Sequence, residues 1–73
     1  MQRYGNRTGV SGIRAYAFGE DFIKVRFDDA IYKYTYASAG RHNVEQMKML
    51  ALAGEGLSTF ISRHVQGAYE SKS

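Results

Sequence analysis

The sequence contains no cysteine and no proline in its 73 residues. The absence of cysteine excludes disulfides, thiolate nucleophiles, iron–sulfur clusters and cysteine-ligated zinc sites. The chain must therefore be held together by packing alone or by a partner. No apolar run has the length of a signal-peptide core or of a membrane span, so we expect a cytoplasmic protein with no membrane contact. Proline-rich linkers, low-complexity tracts and internal repeats are lacking as well.

The composition that remains is that of one small folded domain. Hydrophobic residues make up 44%, aromatic residues 14% and charged residues 23% of the chain. These proportions exclude a disordered polyelectrolyte. Lysine and arginine number 10 against 7 acidic residues, which gives a net charge of +3. Such a surplus favours an anionic partner without approaching the charge density of a histone-like tail.

Three segments in the first half of the chain alternate in hydrophobicity with a period of two, which predicts an antiparallel β-meander. They cover residues 13–18, 22–27 and 31–36, with turns at 19–21 and 28–30. A first turn of three residues would pair Phe18 with Phe22. An even length for the second turn would place Tyr32 and Tyr34 on the same face as Ile23, which predicts that the tyrosines face the core.

The pattern becomes helical after residue 42. Asn43 is a good N-cap for a first helix that ends at Gly54, and a shorter helix is expected from Leu57 or Ser58 to Val65. The expected fold is α+β: a three-stranded antiparallel β-meander with two C-terminal helices packed on one face, as a two-layer sandwich. We expect a flexible arm over residues 1–9, a single domain over 10–69 and a flexible tail over 70–73.

In this arrangement the helices cover one face of the sheet and leave the other face open. The residues predicted on the open face are Arg14, Lys24, Arg26 and Lys33, together with the rings of Tyr16, Phe18 and Phe22. Cationic side chains bind phosphates and aromatic rings stack on bases, so we predict that this set is a nucleic-acid site. Two other interpretations stay open: basic residues that keep an exposed sheet soluble, and a homodimer interface.

An ordered set of short motifs runs from about residue 10 to residue 69. It comprises Ser11-x-Ile13, Ile23-x-Val25-x-Phe27, Tyr32-x-Tyr34, the stretch from Gly56 to Val65 and a final Tyr69. In this order the motifs resemble the KTSC family. That family is named from the C-terminal extension of some lysyl-tRNA synthetases and also occurs as short stand-alone bacterial and phage proteins.

The resemblance implies a small β-rich domain with a central Tyr-x-Tyr motif, an RNA-binding role and no catalytic residues. The motif residues it marks here are Tyr32, Tyr34, Phe60, Arg63, His64 and Tyr69. The chain departs from the family at Ala30, where glycine is common, and at Ser58 and Ser62, where asparagine is common. Ala30 disfavours a turn that needs a positive φ, whereas Ser58 can still cap a helix.

No residue set in the sequence matches a catalytic or cofactor-binding arrangement. His42 and His64 are the only histidines, and without cysteines or a close carboxylate pair they do not make a metal site. The hydroxyls of Ser58 and Ser62 have no identifiable base, so we interpret them as caps or helix-surface groups. We therefore expect no enzyme, no metal, no cofactor and no small-molecule substrate.

The function that these observations favour is binding of RNA, or of single-stranded nucleic acid more generally, through the open face. For Tyr32 and Tyr34, two interpretations remain: platforms for bases, or core rings whose hydroxyls reach the rim. The alternative function is a protein-interaction module, such as a phage or mobile-element accessory protein or a homodimer, acting through the first helix or a sheet edge. Met49 and Leu52 support it by making that helix apolar on more than one side, although they could also fill space inside the domain.

Overall fold

The chain forms a five-stranded antiparallel sheet whose strands follow sequence order, as far as the described residues show. The computed structural model describes residues 1–6 and 12–73. The strands are β1 (Gln2–Arg3), β2 (Ile13–Phe18), β3 (Phe22–Phe27), β4 (Ile31–Thr35) and β5 (Ser71–Lys72). The predicted α+β class is confirmed. The prediction of three strands is wrong, because both ends of the chain add a strand to the central meander.

The N-terminal segment is docked onto the domain where a flexible arm is expected. Tyr4 is buried in the core, and its hydroxyl accepts a hydrogen bond from the backbone N–H of Leu57 at 3.3 Å. Gly54 ends a helix with a φ of 76°, and a Cβ built on it would lie 3.2 Å from the Cα of Gly5. Two glycines thus allow the backbones to touch. At the other end, Ser71–Lys72 pairs with β4, and residues 7–11 lie outside the described part of the chain.

Three helical segments follow β4: α1 (Tyr36–Ala39), α2 (Arg41–Ala53) and α3 (Leu57–Phe60), which continues into a π-helix, Ile61–Val65. The extent predicted for the second helix is confirmed by α3 and the π-helix together. The short α1 is not predicted. Among residues 1–6 and 12–73, no helix combines the length and the apolar character needed to cross a membrane.

The predicted N-cap of the long helix is wrong. The N-cap of α2 is Gly40, which provides no side-chain cap. The chain turns helical before it, at the N-cap of α1: the Thr35 Oγ1 accepts a hydrogen bond from the Ser38 N–H, and the Ser38 hydroxyl accepts one from the Thr35 N–H, each at 3.0 Å. This reciprocal capping box satisfies two backbone donors that would otherwise lack partners. Asn43 lies inside α2 and donates its side-chain amide to the Ala39 carbonyl at 2.8 Å.

The core lies between the helices and one face of the sheet. The strand side contributes Tyr4, Ile13, Tyr16, Ile23, Val25 and Tyr34, and the helix side contributes Val44, Met47, Ala51, Leu57, Ile61 and Val65. Ile23 lies directly opposite Tyr34, and the Tyr34 side chain is only 2% exposed. The prediction that the tyrosines of β4 face the core with Ile23 is therefore confirmed.

The first hairpin differs from the prediction by one residue. Phe18 lies opposite Ile23 rather than Phe22, because the loop holds two residues and the Gly19 N–H donates to the Phe22 carbonyl at 3.1 Å. A shift of one residue turns every side chain of β2 to the other face. The observed register buries the ring of Tyr16 instead of the neighbouring alanine methyls, and the larger apolar area removed from water favours it.

The second hairpin has the even-numbered loop that the sequence predicts. The Phe27 N–H donates to the Ala30 carbonyl at 2.8 Å, which leaves Asp28 and Asp29 as a two-residue loop. Neither aspartate has a positive φ, so this turn does not require glycine. Ala30 itself is buried. The departure from the family pattern at Ala30 therefore leaves the turn intact.

Candidate nucleic-acid interface

The sheet face opposite the helices is open, and the strand register identifies its side chains, because directly paired residues share a face. The open sheet face carries Arg3, Ala15, Ala17, Phe22, Lys24, Arg26, Ile31, Lys33, Thr35 and Ser71. Phe22, Lys24, Arg26 and Lys33 lie on this face as the sequence predicts. Arg3 is an addition that the sequence alone does not place there, since it depends on the pairing of β1 with β2.

The cations of the open sheet face stand in two cross-strand rows. In one row, Lys24 lies directly opposite Lys33. In the other row, Arg26 lies opposite Ala15, which in turn lies opposite Arg3. Like charges that face each other directly destabilise a sheet, and the small alanine leaves the space between the two arginines shallow. The rows are two residues apart along β3, roughly 7 Å, so the face presents an extended patch of positive charge.

The open sheet face has one acidic neighbour within the described residues. The Lys33 Nζ lies 3.6 Å from the Glu70 carboxylate, and the other three cations of the face have no ion pair in that part of the chain. Both side chains of the Lys33–Glu70 pair are partly exposed, and ion pairs of this kind contribute little to stability. A phosphate can therefore replace Glu70 as the partner of Lys33 with little loss of folding stability.

Phe22 is the aromatic residue of the open sheet face among the residues described. Its half-buried ring lies against Gly19, where a Cβ would clash with it. The Lys33 Nζ stands 5.2 Å from the centroid of the same ring, a distance at which a cation is attracted to the π-system. The face thus offers one ring beside a cation, and Ile31 adds a further apolar contact.

The placement predicted for Tyr16 and Phe18 is wrong. The observed register turns both rings to the helix side, where Tyr16 is 6% exposed and belongs to the core. The two rings stack with centroids 6.1 Å apart and planes at 10°. Phe18 is 40% exposed on the helix side of the sheet, with the Lys48 Nζ of α2 5.6 Å from its ring centroid, so it is not part of the open sheet face.

Arg14 is occupied by another partner. It lies at a β-bulge, where the register shifts between residues 13 and 15, and its Nε donates to the Asp28 carboxylate. This hydrogen bond, followed by charge attraction, lowers the pKa of Asp28 and raises that of Arg14. The predicted phosphate contact is therefore an exposed ion pair at the start of β2 and the end of β3.

A polar cluster fixes α2 to the first hairpin. The Lys48 Nζ donates to the Glu45 carboxylate at 2.7 Å and to the Glu20 carbonyl at 2.9 Å. The Tyr36 hydroxyl donates to the same Glu45 carboxylate at 2.6 Å. The bonds from Lys48 and Tyr36 lower the pKa of Glu45, and the bond to Glu45 raises the pKa of Tyr36. These hydrogen bonds link α2 to the first hairpin, so we interpret the cluster as structural.

The residues marked by the family resemblance separate into two groups. Tyr69 lies against Tyr32 and Tyr34, with ring centroids 4.8 Å and 6.4 Å apart. Burial, and after it the nearby Tyr32 and Tyr69, raises the pKa of Tyr34 to about 12, so its phenol stays protonated at neutral pH. Phe60 and His64 instead stack on each other at 4.7 Å. Arg63 is exposed on the π-helix, and Ser11 of the first motif lies outside the described residues.

The three tyrosines line a cavity on the helix side of the sheet that the sequence does not predict. Its volume is about 500 Å³, and it is lined by Phe27, Asp29, Tyr32, Tyr34, Ser58, Ile61, Ser62, Gln66, Gly67 and Tyr69. Ser58 is inside α3, whose N-cap is Gly56, so the interpretation of Ser58 as a cap is wrong. The sequence feature that could indicate this cavity is the polar stripe formed by Ser58, Ser62 and Gln66 at four-residue spacing.

Comparison with known proteins adds no family to these observations. No family model, no curated protein and no solved structure matches the chain. The resemblance to the KTSC family therefore rests on the motif residues themselves. Within residues 1–6 and 12–73, no three His, Cys, Asp or Glu side chains come together as a metal site would require.

Proposed function

We propose that this protein is a non-enzymatic module that binds single-stranded nucleic acid, RNA in the first place, through phosphate contacts on the open sheet face. The observation that carries the proposal is the Lys24–Lys33 cross-strand pair with Arg26 and Arg3 in the adjacent row. A phosphate between two facing lysines replaces repulsion by attraction. The preference for RNA is what the family resemblance implies.

The chemistry of the face favours backbone contacts over base readout. Four cations and one aromatic ring stand on it, whereas base-stacking surfaces present several rings. Phe22, with Lys33 beside it, can hold one base. We therefore expect binding that tolerates many sequences, weakens steeply with salt and resembles the electrostatic class of single-strand binders.

Fluorescence anisotropy with a labelled single-stranded RNA, measured over a range of salt concentrations, tests the proposal. Arg26→Glu should weaken binding and reduce the slope of log affinity against log salt by about 0.7 for each phosphate that the variant no longer neutralises. Arg41→Glu makes the same change of charge at an exposed position of α2, away from the open sheet face, and should leave most of the affinity. Equal losses in the two variants, or an affinity independent of salt, would argue against the open face as the site.

A second candidate function, contact with a protein partner, has one observation in its favour. Met49 and Leu52 on α2 are 65% and 67% exposed, so they do not fill space within the domain. Exposed methionine and leucine suit an adaptable protein interface. Sedimentation velocity of the wild type and of Leu52→Lys distinguishes self-association through α2 from a monomer.

A further inference from the structure

The aromatic cavity is a second site, distinct from the open sheet face. None of its lining residues belongs to the open sheet face, and it lies on the side of the sheet that carries the helices. Its volume of about 500 Å³ lies within the range of about 300–1,000 Å³ that is usual for small-molecule sites. Binding of a ligand in this cavity therefore does not require nucleic-acid binding by the open sheet face.

Four rings stand at steep angles to one another around the cavity. The Tyr32 ring is 5.4 Å from Phe27 at 85° and 4.8 Å from Tyr69 at 84°. Tyr69 and Tyr34 meet at 89°. Rings that meet edge to face form walls and corners, whereas parallel rings would fill the space between them. The cavity volume of about 500 Å³ beside these rings is enough for a further flat ring.

The polar side chains of the cavity offer both hydrogen-bond donors and acceptors. Ser58 and Ser62 contribute hydroxyls, Gln66 an amide and Asp29 a carboxylate. Ser62 lies within the π-helix and Gln66 directly follows it. Both side chains line the cavity. Single turns of π-helix occur often at functional sites.

We propose that the cavity binds a nucleobase, with purines bound more tightly than pyrimidines. A flat heterocycle uses the aromatic walls for stacking and the hydroxyl, amide and carboxylate groups for its edge. A phosphate does not fit inside, because the lining holds the Asp29 carboxylate and no lysine or arginine. An alkylated ammonium would use the rings and Asp29 but would leave the two serines and Gln66 without partners.

Lys72 is a cation beside the Tyr32 wall of the cavity. Its Nζ lies 5.5 Å from the centroid of the Tyr32 ring, and Lys72 is not itself part of the lining. A base inside the cavity can therefore keep its phosphate outside, next to Lys72. A nucleoside monophosphate should bind more tightly than its nucleoside, and Lys72→Ala should remove that difference.

Titration of the ¹⁵N-labelled protein with AMP, GMP, UMP and adenosine, followed by NMR, tests the proposal. We expect saturable shifts in residues 57–69 and about fivefold or greater loss of affinity in Tyr69→Ala, as for loss of one stacking ring. Ser62→Leu should also block binding by filling the cavity, without removing a core contact. Phe18→Ala, a ring deletion outside both the cavity lining and the open sheet face, should bind the mononucleotides like the wild type.

The same variants show whether the bound base belongs to a nucleic acid or to a free nucleotide. If Ser62→Leu weakens mononucleotides and single-stranded RNA together, the base belongs to a nucleic acid; if it weakens mononucleotides alone, the ligand is a free nucleotide. No saturable shift with any nucleotide, binding that is unchanged in Ser62→Leu, or saturation by tetramethylammonium but not by AMP would overturn it. Failure of Arg26→Glu to weaken RNA would affect only the proposal for the open sheet face.

Discussion

Lys24 on β3 and Lys33 on β4 lie directly opposite each other on the sheet face that no helix covers. The pair affects both the stability of the sheet and its affinity for anions. Without an anion, two facing ammonium groups repel each other and weaken the pairing of β3 with β4. With a phosphate between them, the same geometry becomes attractive. Lys33 also contacts the Glu70 carboxylate and the Phe22 ring, so the cleaner position is Lys24. A change at Lys24 should move the stability of the free protein and its affinity for an anion in opposite directions.

Lys24→Glu tests this opposition. The substitution places opposite charges across the strand pair, so the free energy of unfolding should rise by about 0.2–1 kcal/mol, while affinity for single-stranded RNA should fall. Urea denaturation and anisotropy measure the two quantities on the same sample. Lys24→Gln is the control, because it removes the repulsion without adding an attraction and should give a smaller gain. A variant that loses stability and keeps its affinity would contradict the account.

Tyr16→Ala tests the observed register of the first hairpin. The ring is buried, so its removal should lower the free energy of unfolding by about 3–5 kcal/mol. Phe22→Ala removes a half-buried ring from the open sheet face and should cost clearly less. Thermal unfolding followed by circular dichroism compares the two variants. In the register predicted from the sequence, Tyr16 and Phe22 would both lie on the open face, and the two variants would lose similar amounts of stability.

Glu45→Gln tests the cluster that joins α2 to the first hairpin. Hydrogen bonds from Lys48 and then Tyr36 hold the pKa of Glu45 below its ordinary value of 4.5. Because the folded pKa is the lower one, the stabilisation is fully present above about pH 4.5 and is lost as the pH falls through the folded pKa. The wild type should therefore exceed the variant in unfolding free energy at neutral pH, and the difference should shrink in acid. A difference that does not change between neutral and acidic pH would count against these hydrogen bonds.

Local sequence patterns predict the central part of this fold. The alternation in β3 and β4 identifies Ile23 and Tyr34 as core residues, and the pattern after Gly56 gives the last helix its correct length. The end strands escape prediction because two residues are too few to show alternation. Their pairing depends on tertiary contacts such as the burial of Tyr4 and the close approach of Gly5 to Gly54.

The sequence correctly predicts which residues of β3 and β4 form the candidate site on the open sheet face, but it assigns the wrong residues of β2. The choice between loops of two and three residues after Phe18 rests on one hydrogen bond, from the Gly19 N–H to the Phe22 carbonyl, and local composition does not distinguish them. That one-residue difference moves Tyr16 from the open face to the core. The sequence does not predict the cavity, because its walls come from β3, β4, α3, the π-helix and the segment at Tyr69, which only the packed structure brings together.

The most direct test of the central claim is an NMR titration of the ¹⁵N-labelled protein with single-stranded RNA at low and at moderate salt. Binding through the open sheet face predicts shifts at Lys24, Arg26, Lys33 and Arg3 that weaken as salt is raised. Absence of salt-sensitive shifts at these residues would contradict it, as would shifts confined to Met49, Leu52 and their neighbours on α2. Slow tumbling of the free protein would add weight to the protein-contact alternative.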